Sequence, residues 1–362
     1  MKSIASHKHM EYTQELIDII ETVIREGGSD VHLSPGYHPT LRVTGQLLPL
    51  VKKPVLTSAD TEGFMRELLT DENQKEFAAK QEIDFSYGYK DIARFRGNAS
   101  YSQGGIVIAL RLIPRMIRSL EELNLPPMLA DFVRRPQGFF LVVGPVGHGK
   151  STTLAALIDI VNTERAEHIV TIEDPIEYIF TPKKSIINQR EVNVDTSDFQ
   201  IALTQMFRQD VDVAMIGEMR GRETFATAVT AAETGHLVLS TLHTNNASQT
   251  IDRIVDSFPP EQQNQIRVQL AGSLTGIFSQ RLIPRVSGGM VPAYELLINN
   301  KAVANLIREG RTHEIDSVVE TSSEKGMVDM NRSLAELVRA GEITVENAQS
   351  FSLNPVLLEK LL

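Results

Sequence analysis

Nothing in the 362 residues constrains the fold as tightly as the stretch Phe139-Phe140-Leu141-Val142-Val143-Gly144-Pro145-Val146-Gly147-His148-Gly149-Lys150-Ser151-Thr152. An apolar, β-rich run stops at Gly144, the chain then spells G-x-x-x-x-G-K-S, and a helical pattern starts at Lys150. That is the signature of a phosphate-binding loop, and its parts have separate jobs. The glycines let backbone N–H groups turn inward around phosphate oxygens without Cβ clashes. The helix that follows points its positive end at the same oxygens. Lys150 is placed to reach β- and γ-phosphates, and the Ser151 hydroxyl to sit on Mg²⁺. The stretch therefore predicts a strand–loop–helix unit with a nucleotide as ligand, held by Gly144, Pro145, Val146, Gly147, His148, Gly149, Lys150, Ser151 and Thr152.

A parallel sheet built on that unit needs further βα repeats, and the sequence supplies them. Apolar runs at 139–143, 168–173, 213–216 and 236–241 alternate with helical patterns at 151–162, 198–207, 223–232 and 247–258. Continuous apolar strands imply a sheet covered on both faces, hence an α/β fold. The first 115 residues read differently. A helix over 12–25 ends at Gly27-Gly28, a short strand follows at 29–34, and 39–50 reads as a hairpin around Thr44-Gly45. Thr57-Ser58 caps a helix expected to run to about Ala79, before alternating segments at 84–89, 94–102 and 106–113. This predicts a small α+β domain with an antiparallel sheet. The expected organisation is an N-terminal domain over 1–115, a proline-containing linker over 116–136, an α/β core over 137–290 and a mainly helical region over 291–362.

Bulk properties exclude several classes of function. The chain has 42% hydrophobic and 23% charged residues, no cysteine, and a formal net charge of −10. No disulfide framework or cysteine zinc site is possible, and the acidic balance argues against nucleic acid as the direct partner. The polar first 13 residues lack a signal-peptide core. No run reaches the ~18 apolar residues of a transmembrane segment, so a cytosolic protein is expected, with any membrane association through a partner.

Two acids are placed for chemistry on the nucleotide. Ala214-Met215-Ile216-Gly217-Glu218 is an apolar strand ending in an acid, suited to hold Mg²⁺ and orient water. Ile172-Glu173-Asp174-Pro175 ends another, and ligands of open α/β sheets bind beyond strand carboxyl ends; helix capping is the alternative role for Asp174. Asp210 and Asp212 precede their strand and lie at its wrong end. His236 and His243 flank the strand that closes with Thr241-Leu242-His243-Thr244, where a γ-phosphate sensor fits better than a metal ligand. Arg94, Arg96 and Arg111 fall on strands of the first domain and could stabilise transition-state charge across a domain or subunit boundary.

Assembled, these pieces resemble the secretion ATPases of the RecA-like superfamily, and among them the PilT family of type IV pilus retraction motors. The match is carried by the phosphate loop, by Thr171-Ile172-Glu173-Asp174-Pro175-Ile176-Glu177, by Ile216-Gly217-Glu218-Met219-Arg220 and by Ala231-Ala232-Glu233-Thr234-Gly235-His236 with Thr241-Leu242-His243-Thr244. Outside the core, Gly28-Ser29-Asp30-Val31-His32-Leu33, Arg94-Phe95-Arg96, Arg111-Leu112-Ile113-Pro114 and Asn305-Leu306-Ile307-Arg308-Glu309-Gly310 extend it over nearly the full length. The resemblance implies a RecA-like P-loop ATPase domain preceded by a small α+β (PAS-like) domain. It implies ATP and Mg²⁺ as cofactors, a homohexameric ring, and an inner-membrane pilus platform protein as partner, with the motor on the cytoplasmic side. It further implies Glu218 as catalytic acid and metal contact, Glu173 assisting, His243 near the γ-phosphate, and Arg96 and Arg111 as fingers. An extension or type II or IV secretion ATPase, or a nucleic-acid translocase, would use the same core. Two positions depart from the family pattern: His148, where a small hydroxyl residue or glycine is common, and Ala304, where an arginine often stands.

Overall fold

A computed structural model describes residues 2–43, 45–90, 92–114 and 116–362, with side chains from Tyr12 onward. Thr44, part of the expected hairpin turn, lies outside the described residues. The chain divides into two compact units, Met1–Arg115 and Met116–Leu362.

In the first unit, α1 (Lys2–Arg25) presents Leu16, Ile19, Ile20 and Val23 at helical spacing, all buried. A six-stranded sheet follows from β1 (Asp30–Leu33), β2 (Thr40–Val43), β3 (Gln46–Pro49), β4 (Glu82–Tyr89), β5 (Ala93–Ser102) and β6 (Gly105–Ile113), in the order β3-β2-β1-β6-β5-β4. Every pairing in it is antiparallel. The single helix expected from Ser58 to Ala79 is two: α2 (Ser58–Leu68) and α3 (Asp71–Lys80). The break has a local cause. Leu69 is extended, and the Thr70 hydroxyl accepts the Asn73 N–H at 3.3 Å, starting a new helix with its own cap.

The second unit is built on a seven-stranded sheet. Its strands are β7 (Gly138–Val143), β8 (His168–Glu173), β9 (Ile186–Glu191), β10 (Val213–Ile216), β11 (Leu237–Leu242), β12 (Leu274–Pro284) and β13 (Met290–Ile298), ordered β13-β12-β7-β11-β10-β8-β9. All pairings are parallel except β12 with β13. The expected parallel sheet is therefore bordered by an antiparallel edge strand. All six residues of β7 are buried. Phe139, Leu141 and Val143 face a core shared with α6 (Phe199–Met206), α7 (Arg222–Glu233), α8 (Ala247–Asp256) and α9 (Pro260–Ser273). Phe140 and Val142 face the other side, against α4 (Leu129–Val133) and α5 (Lys150–Glu164). Each such side chain contributes about 1.5–3 kcal/mol on full burial.

Two expected boundaries are corrected. The segment 116–136 is not a free linker: Leu120, Leu125, Leu129, Phe132 and Val133 are buried in the same core as Phe140 and Leu154. The helical region does not begin at 291 either. β12 and β13 form a hairpin that extends the central sheet, and helices resume only at α10 (Lys301–Glu309). Beyond it, Met330, Leu334, Ile343, Ala348 and Leu358 pack on Ile283 and Val291 of the hairpin.

Candidate nucleotide site

The parallel pairings bring four strand ends to one edge. Val143 of β7 lies opposite Leu242 of β11, Ser240 of β11 opposite Ile216 of β10, and Ile216 opposite Ile172 of β8. The next residues in each strand or loop are thus Gly144, His243, Gly217-Glu218 and Glu173. Asp212 and His236 sit at the opposite edge, where Asp212 accepts the His168 N–H at 2.8 Å and His236 donates from Nδ1 to the Ala231 carbonyl at 3.0 Å. His236 therefore lies at the edge away from the phosphate loop. Asp174 is exposed and no helix starts beside it, the next being α6 at Phe199, so it caps none.

The loop has the backbone the motif demands. Gly144, Gly147 and Gly149 all have positive φ, at 147°, 79° and 82°. Gly149 is the N-cap of α5 and supplies no side-chain acceptor, which leaves the helix's first N–H groups unpaired by a cap. At Gly144 a Cβ would lie 2.3 Å from the Gln280 carbonyl oxygen, so only glycine fits. Thr152, in the first turn of α5, shares a 2.8 Å hydrogen bond with the Tyr178 hydroxyl.

Lys150 is buried and its ammonium donates to the carbonyls of Gly144 at 2.9 Å and Pro145 at 2.8 Å, and to Nδ1 of His243 at 3.1 Å. Burial pulls its pKa below the ordinary lysine value, against the pull of Glu218 and Glu177. His243 in turn meets Glu218: Nε2 lies 3.2 Å from Oε1. The other Glu218 oxygen accepts from Arg220 at 2.8 Å. Burial would raise the pKa of Glu218, but Arg220, by hydrogen bond and charge, and His243 hold it below the usual carboxylate range. Lys150, His243, Glu218 and Arg220 form one connected chain of polar contacts.

Glu173 is the contrasting acid. It is 5% exposed, and burial pushes its pKa up to about 7, against hydrogen bonds from Thr171, Gln189 and the Glu177 N–H. Thr171 donates to Oε1 at 2.6 Å and Gln189 Nε2 donates to the same oxygen at 3.2 Å. One acid is thus kept ionised and the other is poised to exchange a proton near neutrality.

Arg96 and Arg111 belong to the first unit. They face each other across β5 and β6, and Arg111 Nε donates to Asp30 Oδ1 at 2.8 Å. The contacts of Lys150, His243, Glu218 and Glu173 are made by residues of the second unit alone. Tyr178, Gln189 and Gln280 were not singled out from sequence; lone polar residues outside a motif carry no periodic or spacing signal. Arg220 stood inside a quoted motif, two residues after Glu218, but its role shows only in the ion pair.

Residues 6–341 match the family model described as type II/IV secretion system protein. The chain belongs to that family. Within it, the chain is 41% identical over 335 residues to the type IV pilus retraction ATPase PilT of Pseudomonas aeruginosa, covering 92% of this chain and 97% of that one. A twitching motility protein of Neisseria gonorrhoeae is 44% identical over 312 residues, 86% of this chain and 83% of its own length. Among solved structures, the pilus retraction motor PilT with bound ADP superimposes with a TM-score of 0.89 at 43% identity, over 95% of this chain and 98% of the other.

Proposed function

We infer that this member of the secretion family is an ATP-hydrolysing motor that powers type IV pilus retraction. The likeness to a retraction ATPase, a twitching motility protein and a solved retraction motor supports the class of function. The observation that carries the chemistry is the connected chain from Lys150 through His243 to Glu218, beside a helix start with no side-chain cap.

The phosphates lie in the loop 144–151, with backbone N–H groups and Lys150 neutralising the β- and γ-oxygens. Lys150 exchanges its contacts with Gly144 and Pro145 for phosphate oxygens as the nucleotide enters. The ionised Glu218 orients the attacking water for in-line displacement, and Glu173 serves as the neighbouring proton acceptor. The donor set suits Mg²⁺, which takes few protein oxygens and keeps water and phosphate for the rest: the Ser151 hydroxyl and the ionised, partly exposed Glu218 carboxylate, directly or through water. Bound there, the ion would neutralise charge on the transferring phosphoryl group. Arg96 and Arg111 act as fingers from the first unit, in a homohexameric ring that docks on an inner-membrane platform protein from the cytoplasmic side. Among the described residues no helix is long and apolar enough to cross a membrane.

Phosphate release by the purified full-length protein tests the assignment. Glu218→Gln is expected to keep binding a fluorescent ADP analogue while losing turnover on the order of 10²-fold or more. Undiminished hydrolysis would overturn it.

A further inference from the structure

The nucleotide loop is fastened to a strand more than a hundred residues away in sequence. Gln280, on β12 next to β7, is 3% exposed. Its side chain spans the loop and the first turn of α5: Oε1 accepts from the Thr153 hydroxyl at 2.6 Å, and Nε2 donates to the His148 carbonyl at 2.9 Å. Two residues further along β12, the Leu282 N–H donates to Nδ1 of His148 at 2.9 Å. A Cβ on Gly149 would lie 2.9 Å from Gln280 Nε2, so the missing side chain is what admits the amide. Because a backbone N–H can only donate, His148 carries no proton on Nδ1, and a neutral ring has its hydrogen on Nε2. Burial and the charges of Arg281 and Lys150 disfavour the protonated ring, in agreement with that tautomer.

The same strand also holds the other side of the site. Ser279 Oγ donates to the Asn245 carbonyl at 2.8 Å, and Arg281 donates to Asn245 Oδ1 at 3.3 Å, two residues after His243. A loop fixed at both a carbonyl and a ring nitrogen has little freedom left to lose when phosphates arrive.

We propose that His148 and Gln280 are positioning residues that hold the phosphate loop in its binding shape before nucleotide enters. The proposal rests on the reading of 144–151 as the nucleotide site. It assigns His148 a role through its ring acceptor and places the effect in nucleotide binding rather than in the chemical step.

Full-length variants His148→Ala, His148→Asn, Gln280→Ala and Gln280→Glu are titrated with a fluorescent ADP analogue and assayed for KM and kcat. Both alanine variants are expected to weaken binding about tenfold and raise KM by the same factor, with kcat within about twofold of the parent. Gln280→Glu keeps an acceptor for Thr153 but loses the donor to His148, so it should weaken binding too. His148→Asn restores an acceptor near the Nδ1 position and should return affinity to within about twofold. Unchanged binding in His148→Ala or in either Gln280 variant overturns the proposal. So does an asparagine variant no better than alanine, because that would mean the ring acts by packing alone. Lys150→Ala separates the premise: if it binds nucleotide like the parent, the loop is not the site and the tether falls with it.

Discussion

The Lys150 ammonium lies 3.1 Å from Nδ1 of His243, and an ammonium can only donate. His243 Nδ1 is therefore the acceptor, which leaves the Nε2–H to donate to Glu218 at 3.2 Å. The lysine thus fixes the histidine tautomer, and the histidine hands that orientation to the acid.

Replacing His243 by alanine removes the ring that joins Lys150 to Glu218. His243→Ala is expected to lower kcat by about tenfold to a hundredfold with little change in ADP affinity. Steady-state phosphate release and analogue titration on one preparation check it. An affinity loss as large as the kcat loss would place His243 in phosphate binding instead.

Glu173 predicts a pH dependence. A carboxyl with a pKa near 7 becomes a competent base as pH rises through that value. The parent's kcat should climb between about pH 6 and 8, and Glu173→Gln should be slower and lack that climb. A parent profile that is flat over the same range would show that Glu173 does not act as the base.

Glu295 predicts a stability effect remote from the chemistry. It is buried, burial pushes its pKa up to about 8, and it accepts the Ala247 N–H at 2.8 Å. Its folded pKa lies above the unfolded value near 4.5, so the folded state holds the extra proton between the two. Stability is lost as pH rises across that window, and the full penalty is present above pH 8. Glu295→Gln keeps an acceptor for Ala247 but has no proton to lose. Its melting temperature should gain on the parent's from about pH 5 to 8 and hold a constant lead above. A difference that does not change with pH would refute this.

The two arginines should separate. Both side chains are exposed, and Arg111 is paired with the buried Asp30. Arg96→Ala is expected to cut turnover on the order of 10²-fold with an unchanged melting temperature, as a finger acting on transition-state charge would. Arg111→Ala should lose turnover and also lower the melting temperature, because Asp30 loses a partner. Full hydrolysis in both variants would remove them from the mechanism.

The sequence made the core of this site legible because each part lies within a few residues of a strand end. Gly144, Lys150, Glu173, Glu218 and His243 all follow apolar runs that only a buried parallel strand explains. What escaped notice has equally physical reasons. β12 mixes buried Ser279 and Gln280 with apolar residues, so neither an alternating nor a continuous apolar pattern marks it. The prolines at 126 and 127 read as a linker, yet the leucines around them are core. Thr70 falls inside the span expected as one helix, and its capping role appears only once Leu69 is seen to be extended.

The place of β12 in the sheet has a consequence for the chain's manufacture. The motif is complete by residue 152, but the strand that backs it arrives only with Gln280 and Leu282. During synthesis the ribosome releases the entire phosphate-binding signature long before its scaffold exists. A fragment ending anywhere between 164 and 274 would carry every letter of the motif and still lack the wall that shapes it, so the signature and the site are separable objects in this protein.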